Sequence, residues 1–353
     1  MYDYGHGGNA PFEGGNEHVI DLSANINPLG LPDGVASAIL RAIPDCDRYP
    51  DSFSTALREK ISEFEGVEPS RLFCGNGASD IIFRLPRAAR AHKVLVAAPT
   101  FSDYERAAIS SGAEVIRYTL SPANGFALDG GFIEMAEREK PDLMYVCNPN
   151  NPTGKLTENS FIRELLDCCR ETGALVAIDE CFLDFAAQAH DYTSKLFLDA
   201  CDRIVIFKAF TKLFALPGIR LGYAMCADEE LIAGLHFHGP DWPVSNLAQA
   251  AGLAALEGTD YYVKQAVEFV QGERAAMEHK LADLSYKVFP SGANYVFLQS
   301  PYPFDLREEL DRRGIRIRSC GNYYGLDGSY FRIAVSTREN NAKLLAAVAE
   351  ITR

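Results

Sequence analysis

The pattern of this chain is that of an α/β protein: a mainly parallel, seven-stranded sheet between helices, followed by a smaller α+β domain. Three observations carry that expectation. Between Leu72 and Cys226, short apolar segments alternate with amphipathic helical stretches. The apolar segments are continuous, as in strands covered on both faces. After about Glu229 the alternation gives way to long helical patterns and then to isolated strands. The expected organisation is an arm over residues 1–32, a large domain over 33–235 and a small domain over 236–353.

Composition narrows the function. At 353 residues, 47% hydrophobic and 23% charged, the chain is a globular protein long enough for two domains. Its formal net charge of −14 argues against nucleic acid or an anionic membrane surface as the main partner, since phosphate backbones need a basic face. An anionic substrate must then be held by a local group of arginines. Nine cysteines are scattered from Cys46 to Cys320. None forms a C-x-x-C pair with histidines at zinc spacing, so reduced thiols are expected and no metal site. With neither a leader pattern nor an apolar run of membrane length, the expected location is the cytoplasm.

In chain order, the first thirty residues read as an extended arm. His6-Gly-Gly-Asn9 and Ser23-Ala-Asn-Ile-Asn-Pro-Leu-Gly30 are turn-rich segments around a short apolar piece. Such an arm is either a simple loop or a polar cover lying across a site. Asp33 is placed to cap a helix over 34–43, Arg48-Tyr-Pro-Asp51 reads as a turn, and a helix follows over 53–64. Strands are expected over 72–74, 93–97, 114–118, 143–147, 175–178, 203–207 and 221–226. The small domain should hold helices over 246–256 and 260–284, strands over 295–298, 315–318 and 330–335, and a last helix over 338–351.

Ligands of a parallel sheet sit at the carboxyl ends of its strands, so the polar residues just after each strand are the candidates. Gly75-Asn-Gly-Ala-Ser-Asp80 is a glycine turn opening a helix, suited to cradling a phosphate. Phe101 can stack on a planar ring or simply fill the core. Asn148-Pro-Asn-Asn-Pro-Thr-Gly154 is long enough in turn formers to fix an amide against a ring substituent. Asp179 ends a buried strand, where a carboxylate needs a partner; a protonated pyridine nitrogen would serve, and a helix cap is the plainer use. The stretch from Phe207 to Tyr223 then carries Thr211, Lys212 and Arg220 around a turn. Lys212 is either a surface lysine or an amine that holds an aldehyde cofactor as a Schiff base, with the hydroxyl and the guanidinium on its phosphate.

Taken together, the glycine cradle, the aromatic, N-P-x-x-P-T-G, the strand-end Asp, T-K and R-L-G-Y resemble the fold-type-I pyridoxal-phosphate transferases of the aminotransferase class I/II kind. The resemblance covers essentially the whole chain. It implies pyridoxal 5'-phosphate held by Lys212, with Asp179 on the ring nitrogen, Asn151 on the ring 3-oxygen and Phe101 stacked on the ring. Ala78, Ser79, Thr211 and Arg220 would hold the phosphate, and Arg332 would bind a substrate carboxylate. Tyr49 would reach the phosphate in a partner subunit, which implies a homodimer with shared sites. Three departures stand out. Ala209 replaces a serine that would add a phosphate contact, Cys181 replaces an alanine, and Phe182 replaces a tyrosine that would bond the 3-oxygen.

Within the class, the His-Gly-Gly-Asn arm, Asp21-Leu-Ser-Ala-Asn-Ile-Asn-Pro-Leu-Gly30 and the segment from Ile315 to Leu326 resemble the threonine-phosphate decarboxylases of cobalamin synthesis. The histidinol-phosphate aminotransferases are near relatives. Either resemblance implies a phosphorylated substrate and a second anion site, for which Arg318 is the candidate, with His6 and Asn25 as helpers. Arginines alternating on an exposed strand are equally a solvated face. Whether CO2 or a proton leaves Cα depends on which bond stands perpendicular to the ring, which residues alone do not display. Transamination and serine phosphate as substrate therefore stay open. A sensor domain of a transcription regulator would need an added basic module, and none is seen in this acidic chain.

Overall fold

The computed structural model describes residues 7–8 and 19–353. The arm contributes strand β1 (Ile20–Asp21). The large sheet comprises β2 (Leu72–Gly75), β3 (Lys93–Ala98), β4 (Glu114–Thr119), β5 (Leu143–Cys147), β6 (Leu175–Asp179), β7 (Ile204–Ala209) and β8 (Gly222–Cys226), in the order β2-β8-β7-β6-β5-β3-β4. Only β8 runs against its neighbours, so the sheet is seven-stranded and mainly parallel.

Both faces of this sheet are covered, which is why its strands are apolar throughout. Met144, Val146, Val176, Ile178, Ile204 and Ile206 enter one apolar cluster, while Leu143, Tyr145, Leu175, Ala177, Val205 and Phe207 enter the other. Each buried Val, Leu, Ile, Met or Phe among them contributes about 1.5–3 kcal/mol. Register aligns the strand ends: Cys147 pairs with Asp179, and Asp179 with Phe207. The segments that follow β5, β6 and β7 therefore emerge side by side at one edge of the sheet.

The small domain is built on β9 (Lys287–Phe289), β10 (Tyr295–Gln299), β11 (Ile315–Arg316), β12 (Arg318–Ser319) and β13 (Tyr330–Ala334). Four of these form an antiparallel sheet, β12-β13-β10-β9, and β11 pairs in parallel with β1 of the arm. The single strand expected over 315–318 is thus two short strands in two sheets. Helix Asn246–Ala255 packs on helix Val35–Ala42 and shares the large-domain cluster. Helix Asp260–Asp283 joins the domains, with Ala266 and Val270 in the large-domain cluster and Met277 and Leu281 in the small-domain one.

Two helix starts differ from expectation. Gly34, at φ 84°, rather than Asp33 is the N-cap of helix Val35–Ala42, and no side chain caps it. Helix Thr55–Glu65 begins later than residue 53 because the Asp51 carboxylate accepts the N–H groups of Phe53 and Thr55, prolonging the turn. Among the described residues no helix is long and apolar enough to cross a membrane.

Candidate active site

A cavity of about 670 Å³ opens at the carboxyl ends of β5, β6 and β7, between the two domains. Of the residues singled out from sequence, it brings together Asn25, Ala78, Ser79, Phe101, Asn151, Asp179, Thr211, Lys212, Arg220, Arg318 and Arg332. His6 lies outside the described residues. Tyr49 does not line the cavity of its own chain; it is 78% exposed and its ring stacks on Trp242 at 4.2 Å.

One end of the cavity is a close-fitted anion cradle. Helix Ala78–Ala88 starts there with Gly77, at φ 80°, as N-cap and without a side-chain cap, so its positive end faces the cavity. A Cβ on Gly77 would lie 2.7 Å from Nη2 of Arg220, and one on Gly222 would lie 2.4 Å from the backbone nitrogen of Ala78. Both glycines are needed for the turn, the helix start and the guanidinium to meet. Arg220 itself adopts φ 58°, a region that non-glycine residues seldom enter. The Ser79 hydroxyl donates to Asp103 at 3.1 Å. Thr211 and Ala209 also line the cavity, the latter without a hydroxyl.

At the other end, buried Asp179 accepts from the Cys181 backbone N–H at 3.0 Å and from the Tyr104 phenol at 2.6 Å. Phe182 stands edge-on to Tyr295, with centroids 5.3 Å apart, and the Tyr295 hydroxyl donates to the carbonyl of Asn150 at 2.8 Å. The wall at Phe182 is therefore apolar.

Lys212 projects between these ends, its Nζ 5.3 Å from the centre of the Phe182 ring. Burial pushes its amine down to about 8, the charge of Arg332 adds to the push and Arg220 adds less, against the opposing pull of Cys181 and Asp179. Its turn is clipped by the arm: Asn27 donates its N–H to the carbonyl of Lys212 at 3.1 Å and its amide to that of Leu213 at 2.7 Å.

Arg332 is buried and binds two other parts of the chain. Nη1 donates to Oδ1 of Asn151 at 2.5 Å, and Nη2 donates to the carbonyl of Ser23 at 2.8 Å. Its Nε, and Oδ1 of Asn25, are buried without a hydrogen-bond partner among the described residues. Orphaned polar atoms in two cavity-lining residues are what a site built for a polar ligand should show. Arg318 lies at the mouth, with Nη2 donating to Asn322 at 2.8 Å and its guanidinium 5.4 Å from the centre of the Tyr323 ring. Tyr104, Asn27 and Tyr323 were not assigned roles from sequence. Asn27 and Tyr323 lie inside segments that carried the resemblance, and Tyr104 follows Phe101 by three residues.

The donor set thus fits pyridoxal phosphate: a helix N-terminus with a guanidinium for the phosphate, a buried carboxylate for the ring nitrogen and a depressed lysine amine for the aldehyde. The chain belongs to the aminotransferase class I and II family, whose model matches residues 17–348, and members of that family use pyridoxal 5'-phosphate. More particularly, it is 32% identical to the threonine-phosphate decarboxylase of Salmonella typhimurium, over 99% of this chain and 97% of that one. It is 33% identical to the histidinol-phosphate aminotransferase of Bacillus subtilis subsp. natto, over 96% and 93%. The solved histidinol-phosphate aminotransferase of Clostridium acetobutylicum superposes with a TM-score of 0.88 at 28% identity, covering 95% of this chain and 99% of that one.

Proposed function

We propose that this chain is a pyridoxal-phosphate-dependent carboxy-lyase that converts L-threonine O-3-phosphate to (R)-1-amino-2-propanol O-2-phosphate for cobalamin synthesis. The observation that carries the reading is the pairing of two arginines, Arg332 and Arg318, on one cavity with Lys212. A substrate with a carboxylate at one end and a phosphate at the other matches both guanidinium groups. Residues 33–235, with helix Asn246–Ala255 packed on them, would hold the cofactor, and the remainder of 236–353 with the arm would close on the substrate.

When bound, the cofactor supplies a ring that accepts the electron pair left on Cα. Lys212 would anchor it, Asp179 would face the ring nitrogen, Asn151 the 3-oxygen and Phe101 the ring face. Ala78, Ser79, Thr211 and Arg220 would hold its phosphate. Arg318, with Asn25 and His6, would bind the substrate phosphate, and this remote contact orients the bonds at Cα. A Nζ brought down to about 8 is partly neutral near physiological pH. It can therefore both attack an aldehyde and return a proton to Cα. Tyr49, exposed and not lining its own cavity, would complete the site of a second copy, making the working form a cytoplasmic homodimer.

A second reading is transamination of histidinol phosphate, favoured by the similar identity to that enzyme. One experiment separates them: the protein loaded with pyridoxal phosphate is incubated with threonine phosphate, serine phosphate or histidinol phosphate, with and without 2-oxoglutarate. Release of CO2 and aminopropanol phosphate without the keto acid is the expected result. Turnover of histidinol phosphate only with 2-oxoglutarate would replace the lyase assignment, and preference for serine phosphate would revise the substrate.

A further inference from the structure

The bond from Tyr104 to Asp179 joins residues 75 positions apart and is buried throughout. Tyr104 lies in the first turn of helix Ser102–Ser111 and is fully buried. Its ring stacks on Tyr145, with centroids 4.8 Å apart and planes 9° from parallel, and meets the edge of Phe101 at 5.6 Å. Tyr145 is itself fixed by donating to the carbonyl of Ile82 at 3.2 Å. The aromatic pair thus sets where the Tyr104 hydroxyl points. Its 2.6 Å contact falls in the range of charge-assisted O–H···O⁻ bonds. Burial, and then the charge of Asp179, push the phenol well above its ordinary range, so at neutral pH it stays a donor.

We propose that Tyr104 is a positioning residue for the cofactor, holding Asp179 as an oriented carboxylate so that the proton shared with the ring nitrogen stays on the ring. The proposal rests on Asp179 being the ring-nitrogen partner. A hydrogen bond donated to an ionised carboxylate stabilises its charged form. Without it, the carboxylate is the stronger base and draws the shared proton toward itself, and the ring withdraws electrons less strongly. No sequence motif names this residue, because its effect on the cofactor passes through another side chain.

The test is nitrogen-15 NMR of protein loaded with pyridoxal phosphate labelled at the ring nitrogen, together with cofactor affinity. Tyr104→Phe keeps the stacked rings and removes only the hydroxyl. It should move the resonance toward the deprotonated position and weaken cofactor binding about tenfold. Tyr145→Phe loses a buried hydroxyl of the same kind, bonded to Ile82, and should leave the resonance in place. In an Asp179→Asn background, Tyr104→Phe should add no further shift. Should Tyr104→Phe not fold, Tyr104→3-fluorotyrosine, a stronger donor, should move the resonance the opposite way. A resonance that moves in Asp179→Asn but not in the Tyr104 variants would overturn the role of Tyr104 and leave Asp179 in its place. A resonance unmoved by Asp179→Asn would overturn the reading of Asp179, and this proposal with it.

Discussion

Arg332 donates through Nη1 to the side-chain oxygen of Asn151 at 2.5 Å, across the seam between the small domain and the large one. One expected ligand of the substrate thereby holds one expected ligand of the cofactor ring. The same guanidinium is the charge that most strongly pushes the Lys212 amine down, after burial itself.

The pH dependence of the cofactor-free protein should expose that amine. Its folded value, about 8, lies below the unfolded 10.5. Between those two pH values the unfolded chain binds the extra proton, so stability rises with pH across that window. Denaturant melts of the apo protein and of Lys212→Met, from pH 7 to 11, should show the native protein gaining on the variant through that range. A constant difference would mean the amine is not depressed. Loaded with cofactor, Lys212→Ala should show neither a yellow protein nor turnover.

Arg318→Ala should raise KM for phosphorylated substrates about ten- to a hundredfold, the worth of a charged hydrogen bond. Turnover of free threonine, if measurable, should change little. Equal losses on both would take Arg318 out of the phosphate site.

Gly222→Ala would drive a methyl group to 2.4 Å from the backbone nitrogen of Ala78. Overpacking of this kind costs about 1–3 kcal/mol, and here it displaces the start of the helix that opens on the cavity. Titration with pyridoxal phosphate should show weaker binding along with a lowered melting temperature. Gly218→Ala, in open space on the same connection, is the control.

A buried ion cluster lies behind the lysine turn. Glu65 accepts from Lys195 at 2.6 Å, faces Lys208 at 3.1 Å and accepts from the hydroxyl of Tyr223, while Lys208 also meets Asp184 at 2.7 Å. Burial raises the Glu65 carboxyl, yet Lys208 and Lys195 hold it down at about 2. Because this lies below the unfolded 4.5, its stabilisation is complete above pH 4.5 and fades as pH falls toward 2. Glu65→Ala should cost about 3–5 kcal/mol at pH 7. In denaturant melts, the gap to the native protein should narrow below pH 4.5.

The legible parts of this molecule are those in which a cavity-lining residue follows a strand end. Asp179, Asn151 and Lys212 each come just after an apolar segment, and sheet register brings those ends together. Contacts made over long separations were not legible. Glu65 meets Tyr223 158 residues away, and Asn27 meets Leu213 186 residues away. The expected strand over 315–318 shows the same limit. Its break depends on the arm pairing with its first half, which nothing within those four residues encodes. β9 was missed because three residues, one of them an exposed lysine, carry too little pattern.

The arm is fastened twice. Leu22 donates its N–H to the carbonyl of Arg316 and accepts from the N–H of Ala334 in the small domain, and five residues later Asn27 is bonded to the carbonyls of Lys212 and Leu213 in the large one. Ser23, Ala24, Asn25 and Ile26, which line the cavity, form the tether between those anchors. The segment is bent at Ser23 and Ala24 and turned again where the Ile26 N–H meets the carbonyl of Ala24. One stretch of backbone thus belongs to both domains at once, and Asn25 sits at its middle, where the two halves of the molecule share a single wall of the cavity.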